Sequence, residues 1–214
     1  MTITTSRLFA LYQACSPVEQ AIIRILCLNF GSMRQEDILT VVQQVLPVQF
    51  NALPPDRREI SRLLMKLEQQ GLTCKEKGVA VHQPLIRKEV LLDSLDQKLF
   101  SGYNRCLGAL NQSQPGPRWG WTFPTMERGL FVLQGQLFGE ASLEEINQSK
   151  GKLYTEHGMR LRQDPFYSLL GHPVSIALLR HSPHCRTIGM HLLDMAIVRM
   201  RLEPEVSAFF VQEM

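Results

Sequence analysis

Only one stretch of this sequence pairs two strand-like runs across a glycine turn. Residues 72–75 (Leu-Thr-Cys-Lys) have strand character, Glu76-Lys77-Gly78 makes a tight turn, and Val79-Ala80-Val81-His82 returns before Pro84. Everywhere else the apolar spacing is helical. A chain with one hairpin and no other strands cannot build a large sheet, so the expected fold class is mainly α.

The residues before the hairpin predict three helices. Ser16-Pro17-Val18-Glu19 carries a capping serine, a proline for the first helical position and a glutamate that can close a capping box. Ile22, Ile23, Leu26 and Phe30 follow at helical spacing, with Gly31 as the expected stop. Ser32 is the expected cap of a second helix, with Glu36 and Asp37 in its first turns. Its apolar face is Ile38, Val41, Val42 and Val45, and Pro47 is expected to end it. Asp56 caps a third helix with an inward face of Ile60, Leu63, Leu64 and Leu67, terminated at Gly71. After the hairpin, a single helix is expected over 85–110.

Residues 111–123 contain NQSQPGPRWGWTF, which has no periodicity and reads as a linker. Beyond it, helices are expected at about 124–138, 142–156, 165–170, 173–181, 185–202 and 204–213, with starts marked by Pro124, Ser142, Pro165, Pro173 and Pro204. The expected organisation is therefore a domain over 1–110, a linker over 111–123 and an all-helical bundle or irregular array over 124–214. The chain ends on Phe209-Phe210-Val211-Gln212-Glu213-Met214 without a polar tail. Both a docked last helix and a cut from a longer chain fit that ending.

Helix, helix, helix, strand, turn, strand over residues 16–83 resembles the winged-helix family. The closest likeness lies in residues 60–72, which resemble that family's recognition helix running through "LEQQGL" into the wing. The resemblance implies a helix laid in the major groove of DNA, its outward side reading bases or holding phosphates. On this chain that side would carry Arg57, Arg58, Ser61, Arg62 and Lys66, and the wing would add Lys75 and Lys77. The implied partner is double-stranded DNA. The alternative is protein docking, with the chain as an N-terminal regulatory region of a larger helicase or ATPase-type protein, its partner another protein or its own downstream domains. The bases are diluted: within 56–78 those six face Asp56, Glu59, Glu68 and Glu76.

Charge sets a limit on these readings. Net charge is +3 and the isoelectric point about 8.7, so any basic surface must be local. Cys15, Cys27, Cys74, Cys106 and Cys185 form no CxxC pair, which suits reduced thiols in a cytoplasmic protein. No secretory leader and no membrane-spanning run is expected.

Other constellations carry less. His181, His184 and Cys185, with His172 and His191, have short spacings but lack a second nearby cysteine, so no metal is expected. Arg118, Trp119, Trp121 and Phe123 form a basic aromatic knot, read as packing rather than base stacking. Glu127, Glu140, Glu144 and Glu145 make no catalytic pair. Neither GxxxxGK nor GxSxG occurs. The chain is expected to be non-enzymatic and to need no cofactor.

Overall fold

The computed structural model describes residues 5–50, 53–82, 86–112, 123–161, 163–171 and 174–198. The chain divides into two compact units, residues 1–118 and 119–214. The described residues are mainly helical, with a single two-stranded antiparallel sheet.

Unit 1 holds α1 (Thr5–Gln13), α2 (Pro17–Asn29), α3 (Gln35–Phe50), α4 (Arg57–Gln69), β1 (Thr73–Lys75), β2 (Val79–Val81), α5 (Ile86–Asp96) and α6 (Phe100–Gln112). α2 is its centre. Nearly every residue from Glu19 to Leu28 is buried, because α1, α3, α5, α6 and β2 all pack on this helix. A helix apolar on all sides has to be enclosed in this way. It starts as the sequence requires: Ser16 caps it, Glu19 closes the box and Pro17 opens the first turn.

Its end differs from expectation. The residue in the left-handed region is Phe30, at φ 62°, rather than Gly31. Arg87 holds it there, donating to the Phe30 carbonyl at 2.7 Å with its guanidinium 5.3 Å from the ring centre. The next cap also differs. Ser32 does not start α3, because Met33 forms an antiparallel bridge with Val79 through two bonds of 2.9 and 2.8 Å. Extended backbone at 33 delays the helix to Gln35. A Cβ on Gly78 would lie 3.0 Å from the Met33 carbonyl oxygen, so glycine lets this third extended segment approach the hairpin. Pro47 does not end α3, which runs through it to Phe50. The ring is exposed and costs one hydrogen bond near the helix end, while Val45 and Leu46 beside it are buried.

α4 is capped by Asp56 and stops at Gly71, at φ 74°, with Gly71 N–H bonded to Glu68 and Leu72 N–H to Leu67. The strands pair Thr73 with Val81, Cys74 with Ala80 and Lys75 with Val79. The segment read as one helix over 85–110 is two. Lys98 takes φ 57°, Lys98 N–H bonds Leu95 and Leu99 N–H bonds Ser94, the same closing pattern as at Gly71 but on a lysine. A helix absent from the sequence reading, α1, packs on α2 and α5 through the buried Leu8 and Tyr12.

Unit 2 holds α7 (Met126–Leu137), α8 (Leu143–Leu161), α9 (Pro165–Leu170), α10 (Ile176–Arg180) and α11 (Cys185–Val198). Thr125, Asp164 and Ser175 cap α7, α9 and α10. Ser142 and Glu145 form a reciprocal box at the start of α8. α8 runs five residues past the expected end at 156, because Leu153 and Leu161 both belong to the core. Of the linker, residues 113–122 lie outside the described set, as do Pro173 and the helix expected at 204–213.

Candidate nucleic-acid interface

α4 lies on α3 and β1, which bury Ile60, Leu63, Leu64 and Leu67. The expected inward face is therefore correct, and its main partners are α3 and the hairpin. At about 100° per residue, the row opposite this face is Arg58, Arg62, Met65 and Gln69. All four are exposed.

The seven residues singled out from the sequence separate into three groups. Arg58 and Arg62 stand in the outward row. Among the described residues Arg58 forms no ion pair, and Arg62 has only Glu59, at 3.9 Å. Lys75 and Lys77 are exposed on the hairpin and likewise form no ion pair among the described residues. Arg57, Ser61 and Lys66 flank the row and are engaged within the protein. Arg57 bonds Glu36 of α3 at 2.9 Å. Ser61 accepts from Gln35 and donates to the Arg57 carbonyl. Lys66 bonds Glu19 of α2 at 2.7 Å.

The Lys66–Glu19 contact is unequal in exposure: the lysine side chain is 55% exposed and the carboxylate 2%. Burial pushes the Glu19 carboxyl up, but hydrogen bonds from Lys66 and from Ser16 outweigh it and hold the group below its ordinary range. Lys66 is raised chiefly by its hydrogen bond to Glu19. One carboxylate thus caps α2 and anchors α4. This use of Glu19 and Gln35 was not readable from the sequence, since each partner lies more than 20 residues away.

The other polar centres lie elsewhere. In unit 1, Arg24 is fully buried and bonds Asp93 at 2.8 Å and Gln97 at 3.1 Å, while the Tyr12 hydroxyl also donates to Asp93. Burial, then the bond to Asp93, push the Tyr12 hydroxyl far up; burial pushes Tyr103 up to about 12. In unit 2, the Lys150 ammonium lies 2.7 Å from His191 Nε2, 3.3 Å from Asp164 and 4.8 Å from the Phe166 ring centre.

Two other histidines serve backbone. His184 Nε2 donates to the Ala141 carbonyl and His157 Nε2 to that of Phe123. Glu156 accepts from the Phe123 N–H, so α8 pins both backbone groups of this residue. Phe123 is the one described member of the aromatic knot. Among the described residues no three His, Cys, Asp or Glu side chains gather closely enough to hold a metal ion, and no helix is long and apolar enough to cross a membrane. The five cysteines are free thiols.

No protein-family model matches the chain, and neither a similar curated protein nor a similar solved structure was found.

Proposed function

We propose that residues 16–83 are a winged-helix module that binds duplex nucleic acid, with no catalytic chemistry of its own. α4 is the recognition helix and the β1–β2 hairpin the wing. The observation that carries this reading is the outward row of α4. Arg58 and Arg62 stand opposite the buried leucines, exposed and weakly paired or unpaired among the described residues. Arginine offers a planar fork to phosphate or to guanine, and Lys75 and Lys77 add two cations on the wing. The Met33–Val79 bridge supports the fold half of the reading, because it ties the segment before α3 to the hairpin that would serve as the wing.

Fluorescence anisotropy with a mixed-sequence duplex tests it. At about 50 mM salt the chain should bind saturably and weaken linearly in log–log coordinates as salt rises. Arg58→Glu with Arg62→Glu should flatten that slope and remove most of the affinity. Absence of saturable binding by the unaltered chain at low salt would end the proposal.

Met65 favours a second reading, a protein-docking face. It is 61% exposed in the middle of the outward row, and two flanking cations, Arg57 and Lys66, are already neutralised by the protein's own acids. On that reading the partner is another protein or a downstream domain of helicase or ATPase type, and duplex affinity is absent.

A further inference from the structure

We infer that Glu19 is a positioning residue that withholds Lys66 from the nucleic-acid interface, so that the contact strength of α4 is set by an acid on α2. The inference rests on the reading of α4 as the contact helix. Lys66 stands one turn beyond Arg62 on the same side of α4, close enough for the two cations to repel. By position it is the next phosphate contact. Instead its ammonium sits 2.7 Å from a carboxylate that is almost wholly buried. Glu19 cannot turn away to free it, because the same carboxylate accepts from the Ser16 N–H at 2.8 Å and closes the capping box. A mobile surface acid would yield Lys66 to a phosphate; one fixed by α2's own start competes with phosphate at full strength.

Glu19→Gln separates charge from structure. Glutamine keeps the capping box but gives up the anion that holds Lys66. With the full chain and a mixed-sequence duplex, the variant should bind about tenfold more tightly at about 50 mM salt, with a log–log slope steeper by about 0.9, the signature of one added phosphate contact. Adding Lys66→Met to Glu19→Gln should return both affinity and slope to those of the unaltered chain. A helix-capping role alone would not steepen the slope. Weaker binding by Glu19→Gln, or an unchanged slope, overturns the inference.

Lys66→Met alone provides an independent arm should Glu19→Gln fail to fold, as a thermal melt would report. It should leave affinity and slope unchanged, because the lysine is already occupied; a flatter slope would place Lys66 in the interface and overturn the inference. If neither the unaltered chain nor any variant binds duplex, the nucleic-acid reading itself falls, an outcome distinct from binding that ignores Glu19.

Discussion

At the scale of single residues, the strongest constraints are apolar positions that have no exposed alternative and polar groups that have no water. Leu67 is fully buried beneath α4. Leu67→Ala should cost about 2–5 kcal/mol through lost transfer energy and an unfilled cavity, read as a lower urea midpoint with unchanged m-value; an unaltered midpoint would place the core face elsewhere. Asp164 does three things at once. It caps α9 through Phe166 N–H, faces Lys150 and faces His191. Burial pushes its carboxyl up, but His191, the Phe166 N–H and Lys150 together hold it below the ordinary range. A carboxyl lowered on folding adds stability above its unfolded pKa and loses it as pH falls through the folded value. Unit 2 should therefore hold its stability at neutral pH and lose it below about pH 4, and Asp164→Asn should remove most of that dependence. Asp164→Ala, which also deletes the cap and leaves Lys150 without its carboxylate, should cost about 3 kcal/mol. An acid titration of the melting temperature that is identical in wild type and Asp164→Asn would contradict this.

Elements are decided by short signals where residues four apart suffice, and by distant partners where they do not. The start of α2, the cap and stop of α4 and the hairpin turn were all legible: each depends on residues within one turn of one another, Ser16 with Glu19, Asp56 with Glu59, Gly71 with Glu68. α1 was not legible, because Tyr12 is fixed by Asp93, 81 residues away. Nor was the end of α2, where Arg87 holds Phe30 from 57 residues off. The α5–α6 break was hidden for another reason: its left-handed residue is Lys98, where a glycine would have announced it. Lys98→Gly should relieve that strain and raise stability by about 0.5–1 kcal/mol, net of the extra freedom glycine gives the unfolded chain. A lowered midpoint would mean that the lysine side chain earns its place by contacts. The buried network repeats the lesson at higher stakes. Arg24 on α2 and Asp93 on α5 join two helices through a charge pair with almost no solvent. Asp93→Ala should cost about 3–5 kcal/mol, since a guanidinium would remain buried beside no carboxylate. For the candidate interface, sequence pattern gave the seven residues but not their division. Pairing with Glu36 and Glu19 depends on how α3 and α2 approach α4, which no local spacing encodes.

For the whole molecule, the division into residues 1–118 and 119–214 makes a claim about autonomy that can be tested without knowing any ligand. Unit 1 has its own enclosed helix, α2, its own sheet, and a polar network that links Tyr12, Arg24, Asp93 and Gln97 within it. Its described helix caps are likewise closed by its own residues. A chain of about 118 residues lies within the range where a single core suffices for cooperative folding. Residues 1–118 expressed alone should therefore be helical by circular dichroism and should melt in one transition, with the slow-exchanging amides concentrated in α2, the most enclosed helix. The outward row of α4 and the hairpin's Lys75 and Lys77 also lie entirely in this unit. If duplex binding belongs to them, the fragment should keep both the affinity and the salt slope of the full chain, because the slope counts phosphates neutralised and none would be lost. A fragment that folds but binds with a flatter slope would assign some of those contacts to residues 119–214. A fragment that fails to fold would show that the N-terminal core draws on the rest of the chain for its stability.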